Sequence, residues 1–272
     1  MTIEPLCQAL GAEVRGVDLR RPLDPATVKA LYRAFNERYL LLFRGQQLEA
    51  EDQVRFAELF GPVAMRAPAM QKTGQKFLFV SNAREGGVLG DGELHFHQDN
   101  TFFEVPLKAV CLYAIEVPSA GGDTQFSNCG LAYDRAPQAF KDRIAGLHSL
   151  QMFDYDGDYN SRPDESASGP NVRKAVQPLV WQHPETGRKV LFCSYLTAAR
   201  IVELDKAKGD ALLDEIVRHL SDPALMYRHR WTPGDLIIWD NRALQHARTT
   251  FDPKERRTLR RVPVAEDFVR RG

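Results

Sequence analysis

The chain has 272 residues, with 36 Lys and Arg against 36 Asp and Glu, for a formal net charge of zero. Hydrophobic residues make up 43% and charged residues 26%, which excludes a disordered chain, and the lack of a basic excess argues against a nucleic-acid partner. The N-terminal stretch MTIEPLCQALGAEVRGVDLR carries charges every few positions and no signal-peptide core. The longest apolar run, Tyr39 to Phe43, is about a quarter of the roughly 20 residues that a bilayer span needs, so no membrane association is expected. Cys7, Cys111, Cys129 and Cys193 are scattered without a CxxC pair, which fits buried reduced thiols in a cytoplasmic protein rather than a structural zinc site.

The first sixty residues read as strand, helix, strand, helix. Asp24-Pro25 starts a helix with a capping acid and then proline at the first helical position, and Val28, Leu31 and Phe35 follow at helical spacing. Leu40 to Phe43 reads as a buried strand. A second helix is predicted from about Glu49 to Phe60, stopped by Gly61-Pro62. From Lys76 onward short strands dominate: 77–81, 109–115, 176–181, 189–193, 226–231, 236–239 and 258–264. His183 to Gly187 has hairpin-turn composition, and one helix, Asp205 to Leu220, interrupts the series. The stretch 154–174 is polar, rich in Gly, Ser, Pro and Asp, and aperiodic; it is expected to be a lid-like loop over a site. With no repeat and no linker, the expectation is one domain over 1–272, mostly β with flanking helices, a sandwich or jelly roll.

His97 and Asp99 stand two apart in GELHFHQDNTFF, so in an extended strand an imidazole and a carboxylate project to one face. Far downstream, Asp235 to His246 reads as a strand, a turn and a third candidate, His246. Two histidines and a carboxylate that leave metal positions open form the non-haem iron(II) oxygenase triad. His95 would share the same strand face and is a rival ligand, while His148, His219 and His229 lack a carboxylate two residues on and His183 sits in a hairpin-turn sequence; all four read as surface or structural. The same set could also serve a zinc-type hydrolase that activates water, or remain in a non-catalytic jelly-roll binding protein.

Four segments in order, HQDNTFF, GGDT (Gly121 to Thr124), WDNRALQH and RRTLRR (Arg256 to Arg261), together with GAEVRGVDL and FRGQQL near the start, make the chain resemble the taurine dioxygenase and aryloxyalkanoate dioxygenase family of iron(II), 2-oxoglutarate-dependent oxygenases. The resemblance implies a double-stranded β-helix with His97, Asp99 and His246 as iron ligands and with 2-oxoglutarate and O2 as co-substrates. The small-molecule substrate would be hydroxylated or oxidatively cleaved, with release of succinate and CO2. Arg257, eleven residues after His246, matches the arginine that holds the far carboxylate of 2-oxoglutarate, a task suited to a guanidinium fork. Thr124 matches a residue that hydrogen-bonds the same carboxylate. Arg261 is placed near the inner carboxylate or an anionic substrate, whereas Arg256 and Arg260 are expected to face solvent.

Taurine-specific relatives carry a histidine and a tyrosine after the FG turn; the stretch 61–76 holds neither, and offers Arg66 as an anion contact instead. Asn100 and Phe102 match positions lining the substrate pocket. Glu93 falls where those relatives carry an amine-contacting asparagine, and a carboxylate there would suit a cationic amine. Nothing in the sequence decides against a homo-oligomer.

Overall fold

The computed structural model describes residues 1–90, 92–157 and 160–266. In chain order the strands are β1 (Thr2–Pro5), β2 (Ala12–Arg15), β3 (Leu40–Phe43), β4 (Leu78–Ser81), β5 (Leu94–His97), β6 (Ala109–Glu116), β7 (Thr124–Asn128) and β8 (His148–Asp154). They continue with β9 (Val172–Pro178), β10 (Val180–Gln182), β11 (Lys189–Leu191), β12 (Ala198–Ile201), β13 (Met226–His229), β14 (Leu236–Asp240), β15 (Leu244–Arg248) and β16 (Thr258–Val264). The helices are α1 (Pro25–Arg38), α2 (Ala50–Ala57), α3 (Pro68–Thr73), α4 (Cys129–Arg135), α5 (Gln138–Ile144) and α6 (Lys206–Leu220). Among the described residues no helix is long and apolar enough to cross a membrane.

A seven-stranded sheet, β1-β2-β3-β14-β6-β16-β4, faces a four-stranded sheet, β13-β7-β15-β5, and together they form the jelly roll. Strand alternation divides the core. Leu40, Leu42, Val110, Leu112, Ile237, Trp239 and Leu259 turn toward the smaller sheet, where Phe126 and Leu244 meet them. Leu41, Phe43, Cys111, Tyr113, Leu236 and Ile238 turn the other way, against Leu31, Phe35, Phe56 and Phe60 of the α1–α2 layer. This is why β3 and β14 are apolar at nearly every position: each is covered on both faces. The α1 start follows its sequence signal, with the Asp24 carboxylate accepting from Thr27 N at 3.0 Å. α4, α5 and α6 enclose a satellite core with β10, β11 and β12.

Several boundaries differ from expectation: α2 ends at Ala57, β11 at Leu191 and β13 at His229, each short of its expected end, and two further differences have a clear origin. The apolar run 176–181 is two strands, because the buried Leu179 leaves the β8–β9 ladder: its N–H donates to Leu147 O at 2.9 Å and its carbonyl accepts from Phe192 N at 2.8 Å. In the polar stretch 154–174, β8 persists to Asp154 and β9 resumes at Val172; Asp158 and Tyr159 lie outside the described residues.

Candidate active site

β15 pairs with both β5 and β7, placing His246 directly opposite His97 on one side and Phe126 on the other. The β5–β15 register slips. His97 pairs with His246 but Leu94 pairs with Arg248, so β5 carries one extra residue. This bulge overturns simple alternation. Leu94 and His97, three apart, both reach the site, while His95 is exposed and is not the rival ligand that the sequence left open. Asp99 follows just past the strand end. Its Oδ1 lies 3.8 Å from His97 Nε2 and its Oδ2 lies 3.8 Å from His246 Nε2. One donor atom from each of the three falls within 4.8 Å of the others.

The surroundings set the charge state of each group. His97 Nδ1 sits 2.7 Å from the His95 carbonyl, which requires the proton on Nδ1 and leaves the Nε2 lone pair facing Asp99. Burial, reinforced by His97, pushes the His246 imidazole down to about 3, so it is neutral at physiological pH. Burial opposes ionisation of Asp99, but Arg261, with Nη2 2.9 Å from Oδ2, outweighs it and holds the carboxyl well below the usual range. Two imidazoles and a carboxylate, with both Nε2 atoms too far from Asp99 for a hydrogen bond, suit a divalent transition metal between them. His246 Nδ1 is buried and has no hydrogen-bond partner among the described residues.

The triad separates two cavities, and His97, Asp99 and Arg261 line both. The inner one, of about 50 Å³, is bounded by Thr124, Arg248, Arg257 and Leu259. Arg257 is 2% exposed; its Nε donates to Gly122 O at 3.1 Å, and its Nη1 is buried without a partner. Burial first, and the nearby Arg248 second, push this guanidinium down to about 9, so it remains charged at neutral pH. A buried cation with an Nη1 that has no hydrogen-bond partner among the described residues, beside three candidate metal ligands, is the feature expected of a carboxylate-binding site. Thr124 Oγ1 accepts from Trp231 Nε1 at 2.9 Å, which leaves its own proton for another acceptor.

Gly122 makes the Arg257 placement possible. Its φ is +65°, and a Cβ there would lie 2.9 Å from Arg257 Nε and 3.0 Å from Cδ. Gly122→Ala is expected to lower stability by about 1–2 kcal/mol through the left-handed backbone alone. It should also displace Arg257 and weaken binding of a carboxylate in the inner cavity. Urea unfolding and a carboxylate titration check both effects.

The outer cavity, of about 200 Å³, receives Arg66, Asn100 and Phe102, together with Phe153, Tyr155 and Leu196. Phe102 stacks on Phe153 at 4.8 Å, and Tyr155 meets Phe153 edge-on at 4.9 Å. The loop after β8 therefore contributes Tyr155, and its Asn160 crosses β5 by donating to Glu93 O at 2.6 Å. The Arg66 guanidinium sits 4.7 Å above the Phe103 ring, and its Nη1 is buried without a hydrogen-bond partner.

Glu93 does not join the site. It precedes the β5 bulge, is exposed and lines neither cavity, so an amine contact there has no geometric basis. Arg260 is likewise not solvated. It is 6% exposed and clamps α2, donating to Gln53 Oε1 at 2.7 Å and to the Leu48 and Glu49 carbonyls, whereas Arg256 is on the surface with Glu116. Sequence reasoning missed Phe153, Tyr155 and Arg248. The two aromatic residues border an aperiodic loop, and no motif marks Arg248, although its position two residues after His246 puts it on the same strand.

The family model described as "Taurine catabolism dioxygenase TauD, TfdA family" matches residues 2–262. The chain is 32% identical to the alpha-ketoglutarate-dependent 2,4-dichlorophenoxyacetate dioxygenase of Cupriavidus pinatubonensis, over 97% of this chain and 98% of that one. Among solved structures, a taurine dioxygenase from Burkholderia xenovorans superposes with a TM-score of 0.83 at 31% identity, over 98% of this chain and 89% of that one. AAD-2 in complex with Mn(II) and N-oxalylglycine also gives 0.83, at 29% identity, over 98% of this chain and 97% of that one.

Proposed function

The chain belongs to the TauD, TfdA family, and from that premise we propose how its two cavities divide the work of the enzyme. The protein is an iron(II)- and 2-oxoglutarate-dependent dioxygenase acting on a small polar or anionic organic molecule. When bound, the metal and co-substrate supply the power to oxidise a substrate C–H bond with O2, as 2-oxoglutarate becomes succinate and CO2.

In our reading His97, Asp99 and His246 hold the metal, and the inner cavity receives the far carboxylate of 2-oxoglutarate. Arg257 provides the charge and Thr124 a hydroxyl donor. Arg261 lies between the cavities, where it neutralises Asp99 and reaches the inner carboxylate of the co-substrate. Tyr155, from the start of the stretch 154–174, covers the outer cavity. Four free cysteines support a reducing, cytoplasmic compartment, and the zero net charge supports the absence of a nucleic-acid partner.

The substrate reading rests on one observation: Arg66 presents a partly desolvated guanidinium, with Nη1 unpartnered, to a cavity walled by Phe102, Phe153 and Tyr155. That combination favours an organic anion with an aromatic or bulky apolar body, the two parts found in the 2,4-dichlorophenoxyacetate of the relative's name. A compact zwitterion such as taurine would leave the aromatic wall unused. Asn100 offers a polar contact at the cavity edge. A succinate-release screen should rank aryloxyalkanoates and apolar sulfate esters above taurine and amino acids. Arg66→Met should raise KM for the best anion by about 10–100-fold, the range for losing one partly buried charged contact, and leave the KM for 2-oxoglutarate unchanged. An unaltered substrate KM would remove Arg66 from the site.

A further inference from the structure

Asp99 stands beyond the last residue of β5, so no strand neighbour serves its backbone. The Asn241 side chain takes that place. Its Oδ1 accepts from Asp99 N at 2.7 Å, and its Nδ2 donates to Asp99 O at 2.9 Å and to Leu107 O at 3.1 Å. One amide thus satisfies both backbone groups of Asp99, as an antiparallel strand would. Immediately afterwards Asn100 adopts φ 57°, in the left-handed region that asparagine tolerates better than most residues, and the chain turns away.

Asn241 is itself held from several directions. It is 0% exposed; its N–H donates to Lys108 O at 3.0 Å, and its carbonyl accepts from Gln98 Nε2 at 3.2 Å. Its neighbours Asp240 and Arg242 are equally buried. Arg242 binds Asp240 through Nε and Nη2 at 2.9 and 2.6 Å and reaches Glu266 at 2.7 Å, while His183 Nε2 lies 2.9 Å from Asp240 Oδ2. Such a buried ion cluster contributes little net stability over an apolar core, but it fixes the β14–β15 turn in place. The same turn leads into His246 on β15.

We infer that Asn241 is a positioning residue for metal binding: its side chain fixes the Asp99 backbone against the turn that also presents His246, so that carboxylate and imidazole are held in register. This inference rests on the His97, Asp99 and His246 assignment and adds a residue that touches neither metal nor substrate.

The test is a zinc(II) titration against a chromophoric chelator, zinc being an ion that an imidazole pair binds without a carboxylate. It is run on the full chain, on Asn241→Ala, on Asp99→Ala and on the double variant, with urea unfolding of each metal-free protein alongside. Asn241→Ala should weaken zinc binding by about 10–100-fold, the usual effect of losing a group that orients a ligand. In the Asp99→Ala background the same change should alter affinity by less than about twofold, because no carboxylate remains to be placed. Asn241→Ser, which leaves room for a water to bridge the freed carbonyls, should fall between and serves if the alanine variant does not fold. An equal loss of affinity in both backgrounds would reduce Asn241 to a structural residue. Full-chain affinity in a folded Asn241 variant would overturn the inference. If Asp99→Ala alone leaves zinc binding unchanged, the ligand assignment fails instead.

Discussion

Asp99→Ala is expected to weaken divalent transition-metal binding by more than about 100-fold and to abolish coupled turnover, while the jelly roll remains folded. Orienting groups around a metal typically cost about 10–100-fold when removed, and a direct ligand should exceed that. The substitution also leaves Arg261 facing two imidazoles with its 2.9 Å carboxylate partner gone, so the variant site carries a net positive charge that opposes a cation. The fold should survive because Asp99 lies outside the strands and outside the apolar clusters of the two sheets. Metal titration, circular dichroism and succinate release separate the three effects; a variant that keeps its affinity and turnover would remove Asp99 from the ligand set.

Arg257→Met should act on the co-substrate with an opposite sign on the empty protein. Breaking a buried, hydrogen-bonded charge pair costs about 2–5 kcal/mol, so the 2-oxoglutarate requirement should rise by roughly 30-fold to several thousandfold. Without co-substrate, however, the guanidinium has an unpartnered buried Nη1 and is held below its ordinary pKa by burial and by Arg248. A base whose folded pKa is depressed to about 9 binds protons less readily folded than unfolded, so it destabilises the fold at every pH below that value. The methionine variant should therefore melt no lower than the parent when empty, and should lose the melting shift that 2-oxoglutarate gives the parent. Thermal unfolding at pH 7 with and without co-substrate reads both. A lower melting temperature for the empty variant would mean that Arg257 is a structural ion-pair residue and not a waiting carboxylate site.

The sequence disclosed elements whose signals are local. Asp24-Pro25 marks the α1 start because capping and proline preference act within one turn, and β3 and β14 stand out as apolar runs because the larger sheet is covered on both faces. That His97, Asp99 and His246 would meet was legible from the resemblance carried by HQDNTFF and WDNRALQH, and the three side chains do come together. What escaped depends on distant partners. The β5 bulge exists only in its pairing with β15, and it decides that His95 and Glu93 face out while Leu94 faces in. Arg260 looked like a solvated member of an alternating basic strand, yet α2 covers that face and supplies Gln53 and two carbonyls. Leu179 splits an apparently continuous strand because two different sheets claim its flanks. Tyr155 and Phe153 become cavity walls only when the loop after β8 folds back toward Phe102.

In the proposed site a metal held by three side chains meets a dicarboxylate held by a fourth across a small cavity, and one structure tests that union. A crystal structure of the protein with Mn(II) and 2-oxoglutarate should show the ion bound by His97, Asp99 and His246, with the far carboxylate paired to Arg257 and Thr124 in the inner cavity. Finding that carboxylate on Arg66 in the outer cavity, or the ion on any other set of side chains, would contradict it.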